Sequence, residues 1–352
     1  MRRAQLARPS DEGLSVLDVA PFAHLAWVDV DGKAQLRSVH ALRFDGEIIF
    51  HGAKASALAK EAAKGRAPLV TLQAEQVLAP IPSYFIDPER ACPATTLYRS
   101  VQVEGRLEPH SLSETKAAAL TALMERFQPE GGYAPLSPQA DIYRGEIKGV
   151  AVTRLVPEKV SARANLAQSK PLALKRQLIE ALWARGAPGD LEAIERMRAV
   201  SEEDPAPEDW GAGPARFHVW ATSEDAEAVA APLTRAYWNE GIPASDLIAA
   251  HLAATAWVLA RGPQGDVVAS ARAVSDDTKH AWIYDVWVEP ELRHRGIATQ
   301  LIRILLDHPR MRRVRFVHLQ TKDAQALYRR LGFDEAPLGV YPHMMRRGSG
   351  AA

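Results

Sequence analysis

Cysteine is almost missing from this chain: Cys92 stands alone in 352 residues. That excludes a disulfide framework within the chain and leaves almost no route to a cysteine-based metal cage, so no metal site is expected. Net charge is missing too. The 43 Lys and Arg balance the 43 Asp and Glu, so no global field favours nucleic acid or an acidic membrane. No stretch approaches the roughly 20 apolar residues that a membrane helix needs. Met1 to Gly13 holds arginines but no apolar run behind them, so it does not read as a secretory signal. These absences lead to the expectation of a cytoplasmic protein. What is present is ordinary for a globular chain: 47% apolar and 24% charged residues. The length exceeds one compact core of usual size, so two domains are expected.

The first half alternates in the manner of strands. His24 to Asp29 reads as one strand, Asp31-Gly32 as a hairpin turn, and Ala34 to Phe44 as the next strand. Asp45-Gly46 is a second turn, followed by a strand from Glu47 to His51. A helix is expected from Ser56 to Lys64, then strands over Leu69 to Leu78 and Tyr98 to Leu107. A helix over Glu114 to Phe127, capped by Ser111 or Ser113, and a strand over Val150 to Val156 complete the set. Strands dominate without a βαβ rhythm, which predicts a small antiparallel barrel with flanking helices. Helices over Leu172 to Arg185 and Asp190 to Val200 are read as its extension, giving a first domain over residues 1–200. The acidic, Pro- and Gly-rich run 201–214 reads as a linker.

Residues 215–347 have a different rhythm. Strands are expected over Phe217 to Ala221, Ala256 to Arg261, Val267 to Ser275, Ala281 to Val288 and Val314 to Gln320, with a short one near Met345. Helices are expected over Glu224 to Trp238, from Ser245 or Asp246 to Ala253, over Gly296 to Leu306 and over Asp323 to Leu331. The informative point is the junction after Val288. A strand ends there, Arg293 to Ala298 forms a short loop, and a helix follows. Gly296 lets backbone amides approach a ligand, and a helix start adds free N–H groups and a positive dipole end. That suits a pyrophosphate, although an ordinary strand–turn–helix with a glycine in it would look the same.

The spacing further on adds a second motif. Asp323 to Phe333 forms a helix ending in Leu-Gly-Phe, one strand after the loop. In these two motifs, and in their order, the second half resembles the GNAT N-acetyltransferase superfamily, an α/β fold with a mixed central sheet. The resemblance implies that the backbone of Arg293, His294, Arg295, Gly296, Ile297 and Ala298 holds the pyrophosphate of acetyl-CoA. It implies that Val286 and Val288 pair with the pantetheine arm and that Tyr328 protonates the departing thiolate. Direct attack by a neutral amine is expected, since no cysteine lies in the motif region. The amine must first lose a proton. Asp285 ranks first as the acceptor of that proton, with an ion-paired or capping carboxylate as the alternative. Tyr237 and Trp238 resemble the acceptor-side aromatics of one GNAT branch and equally suit core packing. The amine itself, on a small molecule or a peptide, stays open. The Lys and Arg excess from Glu291 to Arg347 suits the phosphates of CoA, and equally a solvated surface or weak contact with nucleic acid; the cluster Arg310 to Arg315 reads as surface charge, and nucleic acid is not expected as a partner.

In the first half, His51, Gly52, Lys54 and Ser56 join a strand end to a helix start, with Arg37 and Ser38 on an earlier strand and Tyr98 to Val101 on a later one. A hydroxyl and cations at a helix start suit a phosphate monoester; a helix cap among scattered surface cations is the alternative. The pattern resembles the pyridoxamine-phosphate-oxidase-like split β-barrels that bind FMN, in particular their nitroimidazole-resistance-type branch. The resemblance implies an FMN site with Arg37, Ser38, Lys54 and Ser56 near the phosphate and His51 near the ring, in a homodimer formed through the barrel. Ala57 stands where relatives carry a basic residue. Two functional readings follow: an acetyltransferase fused to a flavin-dependent oxidoreductase, or a flavin sensor controlling the acetyltransferase. A third makes the second half a CoA-binding scaffold without turnover.

Overall fold

The structure is a computed structural model that describes residues 6–335. The strand expected near Met345 lies outside the described residues. The chain forms two compact units, Met1–Gln177 with Val200–Glu202, and Leu178–Ala199 with Glu203–Ala352.

The first unit is an antiparallel sheet. Its strands are β1 (Ala7–Arg8), β2 (Ala23–Val28), β3 (Ala34–Val39), β4 (Ala41–Phe44), β5 (Glu47–Ala53), β6 (Val70–Ile81), β7 (Thr95–Pro109) and β8 (Val150–Asn165). They hydrogen-bond in the order β3-β2-β6-β7-β8-β5-β4, with β1 added to β8. The two edge strands, β3 and β4, are consecutive in the chain and only His40 separates them. A sheet whose edges are one residue apart must curl round on itself. Because β3 and β4 are not hydrogen-bonded neighbours, the barrel stays split. The single strand expected over Ala34 to Phe44 is therefore two. Val39 pairs with Ala23 on β2, while Ala41 pairs with Phe50 on β5, and His40 is the corner between them.

Alternation builds the barrel core. Ala23, Leu25 and Trp27 of β2 point inward, as do Leu97, Val101, Val103 and Leu107 of β7. Ala23, Leu25, Trp27, Val101, Val103 and Leu107 pack with Val16, Leu17, Phe50, Val70 and Leu72. Gly105 sits at a register slip between β7 and β8, and a Cβ there would lie 2.1 Å from the Val156 carbonyl oxygen. Only glycine permits that approach. Helices α1 (Ser10–Leu14), α2 (Ala57–Ala63), α3 (Ser113–Phe127) and α4 (Asp141–Gly149) flank the sheet. Ser113, expected among the caps, is the first helical residue of α3, and Leu112 occupies the cap position without a side-chain bond.

Helix α5 (Leu172–Arg185) begins in the first unit, but its second half and α6 (Asp190–Ala199) belong to the second. This differs from the boundary expected near residue 200, and the reason is a set of polar ties. Trp183 Nε1 donates to Asp307 at 2.6 Å, and Arg312 donates to the Trp183 carbonyl at 2.7 Å. Arg198 donates to the Phe217 carbonyl at 2.7 Å and pairs with both Glu195 and Asp204. Nor is the stretch 201–214 a free linker. Trp210 is buried edge-on against Trp183, and β9 (Gly211–Ala212) pairs with the next strand.

That next strand is β10 (Ala215–His218), followed by β11 (Ala256–Arg261), β12 (Val267–Ser275), β13 (His280–Val288) and β14 (Phe316–His318). The order is β14-β13-β12-β11-β10-β9. Among the described residues only the β13–β14 pair is parallel, so the sheet is mixed. Helices α7 (Ser223–Leu233) and α8 (Ala244–Leu252) pack Val229, Leu233 and Leu247 against Trp257, Leu259 and Trp287. Helix α9 (Ile297–Asp307) buries Ile297, Leu301, Ile302, Ile304 and Leu305, and α10 (Gln325–Arg329) follows β14. Helix α7 was expected to reach Trp238. It ends at Leu233, one residue after Pro232, and Tyr237–Asn239 forms a separate 3-10 turn.

Candidate functional site

In the second unit β13 and β14 pair over three positions only: His280 with Phe316, Ala281 with Val317 and Trp282 with His318. There β14 ends, while β13 continues to Val288. From Ile283 onward, the edge of β13 away from β12 has no strand beside it among the described residues. Its backbone donors and acceptors face a gap where an extended ligand can pair. Val286 and Val288, singled out from the sequence, lie on this stretch.

The other edge of β13 carries a bulge. Ser270 faces Trp287 and Arg272 faces Tyr284, so Asp285 and Val286 together oppose Ala271. Asp285 takes φ +53, a left-handed conformation that Asp tolerates better than most residues. The bulge turns its carboxylate inward, where it is 7% exposed. There it accepts from Arg272 Nε at 2.7 Å, Asn239 Nδ2 at 3.1 Å and Trp238 Nε1 at 3.2 Å. A carboxylate so engaged does not stand free to collect a proton from an incoming amine. The ion-paired alternative describes its surroundings: it pins the Tyr237–Asn239 turn and β12 to β13. Arg272 and Asn239 were not singled out from the sequence. They lie 13 and 46 positions from Asp285, and no local pattern marks them.

Tyr328 on α10 is also buried, its ring edge-on to Phe333. Its hydroxyl is pushed up to about 12, first by burial and then by Tyr237 beside it. Tyr237 in turn meets Trp238 edge-on at 5.0 Å, and Lys322 Nζ lies 5.3 Å from its ring centroid. The fold thus gathers Tyr237, Trp238, Asp285 and Tyr328 from three separate stretches of chain into one cluster.

Between β13 and α9 the chain makes one 3-10 turn at Pro290–Leu292. His294 then takes φ +62 and Gly296 φ +82. Gly296 is the N-cap of α9, and a Cβ on it would meet nothing within 4 Å. Glycine is required there by backbone angle, not by crowding. The first bond of the helix runs from Gln300 N–H to the Gly296 carbonyl at 3.0 Å. The N–H groups of Ile297, Ala298 and Thr299 precede it and have no partner within the helix. Arg293, His294 and Arg295 are exposed around this mouth, and Arg293 Nε ties the loop to the Val288 carbonyl at 3.2 Å. Positive dipole, open amides and cations together suit an anion.

The first unit carries the second candidate region. Ser56 caps α2 by accepting from Ala59 N–H at 3.3 Å. Lys54 lies just before it. Lys116 on α3, buried and donating to the Val150 carbonyl at 3.2 Å, is pushed down first by burial and then by Lys54. Two crowded cations near a capping hydroxyl fit a phosphate. Lys116 was not foreseen, because it comes from a helix 60 residues further on. His51 stays exposed but is pushed down, first by partial desolvation and then by His40, which stacks on Phe22 and meets Phe127 at a tilt. Arg37 and Ser38 are engaged elsewhere: Arg37 lies over Trp27 at 5.4 Å and Ser38 Oγ is 3.4 Å from His24 Nδ1. The described contacts do not join these two residues to Lys54 and Ser56.

Comparison with known proteins agrees with both halves. The family described as pyridoxamine 5'-phosphate oxidase matches residues 9–164, and the acetyltransferase (GNAT) family matches residues 208–333. Among solved structures, the flavocytochrome Anf3 from Azotobacter vinelandii is 23% identical over 47% of this chain and 72% of its own, with a TM-score of 0.39. A protein from Xanthomonas campestris, described as an acetyltransferase of the gnat family, is 29% identical over 39% of this chain and 97% of its own, with a TM-score of 0.35. A protein from Bacteroides thetaiotaomicron, described as a 5-nitroimidazole antibiotic resistance protein, is 12% identical over 45% of this chain and 86% of its own, with a TM-score of 0.36. No curated protein matches the chain.

Proposed function

We propose that this fusion of a pyridoxamine 5'-phosphate oxidase-like domain with a GNAT acetyltransferase domain moves an acetyl group from acetyl-CoA to an amine. The observation that carries the reading is the open edge of β13, which leads to the left-handed Gly296 at the head of α9. A pantetheine arm is extended and amide-rich, so it pairs as a strand does. A pyrophosphate matches the open amides from Arg293 to Ala298. The neutral amine attacks the thioester carbonyl, forming the C–N bond. The C–S bond breaks with its electron pair on sulfur, Tyr328 protonates that sulfur, the proton lost by the amine leaves to solvent, and solvent returns a proton to Tyr328. Asp285 serves this scheme as the anchor of Trp238 and Arg272, not as the base. Isothermal titration with acetyl-CoA tests the reading. Binding that weakens strongly in Gly296→Val supports it, and no binding to the intact chain overturns it.

For the first unit the reading is an FMN site. Lys54, Ser56 and Lys116 would hold the phosphate, and His51 would lie towards the ring. A bound flavin supplies one- or two-electron transfer. Arg37 and Ser38 belong to this site only if the partner barrel of a dimer brings them to it. An absorbance spectrum of the purified chain decides. A flavin spectrum that NADH or NADPH bleaches supports an oxidoreductase, and one that neither reductant changes supports the sensor. A colourless protein that takes up no added FMN removes the flavin altogether.

A further inference from the structure

Beside the gap between β13 and β14 lies a row of rings. His280, Trp282 and Tyr284 alternate along β13 and share one face of the sheet, and Phe316 and His318 of β14 join them there. Phe316 stacks on His280 at 5.6 Å and 26°, and His280 on His318 at 5.2 Å and 30°. His318 stacks on Trp282 at 4.9 Å and 27°, and Trp282 on Tyr284 at 6.5 Å and 23°. Every neighbouring pair is close to parallel. By contrast, Trp183 with Trp210 and Tyr237 with Trp238 meet edge-on. The two imidazoles are joined by a hydrogen bond of 3.0 Å between His280 Nδ1 and His318 Nε2. A cation closes each end of the row: Arg315 lies 5.4 Å from the Phe316 centroid and Arg272 5.1 Å from that of Tyr284. The outermost rings, Phe316 and Tyr284, are 44% and 43% exposed.

Charge decides what such a surface takes. A polycationic amine needs carboxylates, and those carried by neighbouring residues are committed. Asp285 is paired with Arg272, and Asp277 with Arg310. Asp276 accepts the backbone N–H groups of Thr278, Lys279 and His280. With these carboxylates engaged, none of them is left to hold a polyamine, while the exposed end rings, Phe316 and Tyr284, offer contact to a planar ring. We infer that the acetyl acceptor is an amine carried on a flat aromatic ring, which lies on the stack from Phe316 to Tyr284. This rests on the acetyltransfer reading above and narrows it to a substrate class.

The test compares CoA release by the full chain with aniline- and indole-bearing amines against putrescine and spermidine. The ring-bearing amines are expected to have the higher kcat/KM. Trp282→Ala should lower it about ten- to hundredfold for them, mostly through KM. Trp282→Phe should restore most of that loss. Circular dichroism checks that the variants fold. Faster turnover of the aliphatic amines, or aromatic turnover unchanged in Trp282→Ala, overturns the inference while leaving acetyl transfer intact. If no amine releases CoA, the acetyltransfer reading fails instead. Ring-current NMR shifts of the aromatic amines, lost in Trp282→Ala, then decide the stack by themselves: shifts support it, and their absence overturns it.

Discussion

Tyr328 keeps its proton further into alkaline solution than a free phenol, because burial and Tyr237 push it up to about 12. It therefore remains a donor across neutral pH. Tyr328→Phe removes that proton but keeps the ring against Phe333. Its kcat is expected to fall about 100-fold or more with acetyl-CoA affinity unchanged, measured by thiol release and calorimetry. His308 makes a pH prediction for stability. Burial first, then Arg310 and Arg312, push its imidazole down to about 4, and its Nδ1 accepts the Arg310 N–H at 3.2 Å. Unfolded, the same group titrates near ~6.5. As pH falls, the unfolded chain takes up the proton first. The stability linked to neutral His308 is thus complete above about 6.5 and lost progressively towards 4, on the order of 3 kcal/mol in all. Denaturant titrations at pH 7 and pH 4.5 should show the loss, and His308→Gln should flatten it.

Elements differ in how much of their form is local. Strand β2 and the β11–β12 hairpin announce themselves by alternation and turn residues, and they fall close to where the pattern puts them. The break at His40 does not, because Ala34 to Phe44 reads as one run. Its two parts pair with different strands only once the sheet has curled. The bulge at Asp285 is similarly invisible. Nothing local marks Asp for φ +53; the half-buried Arg272 and the buried Asn239 hold it there. At Gly105 the close approach comes from β8. Gly105→Val is expected to cost at least about 2–3 kcal/mol, since the added atoms meet the Val156 backbone. A fall in the melting temperature of the first unit, followed by circular dichroism, is the readout.

For the whole molecule, two compact units with their own cores predict two unfolding transitions in calorimetry. Where the chain is cut decides whether the second unit folds alone. A fragment beginning at Pro171 keeps Trp183 on Asp307 and Arg198 between Glu195 and Asp204. One beginning at Glu203 loses those partners and leaves Asp307 and the Phe217 carbonyl without them. The longer fragment should be soluble and melt cooperatively, and the shorter should be markedly less stable. The dimer expected through the first unit is open to measurement by light scattering of the intact chain.

Sequence alone determined the two fold classes, the order of the Arg293–Ala298 loop and α10, and the place of Gly296. Each depends on residues close together in the chain, whose spacing carries the physics: a left-handed glycine at a helix start, a strand ending before it. Only the tertiary structure decided that Asp285 is bound to Arg272, and that Lys116 joins Lys54. It alone stacked His280, Trp282 and Tyr284 with Phe316 and His318, and gave the second half of the helix before Gly186 to the second unit. Those pairs join residues far apart in the chain. Neither partner's neighbours in sequence record the strand register or helix packing that brings them together.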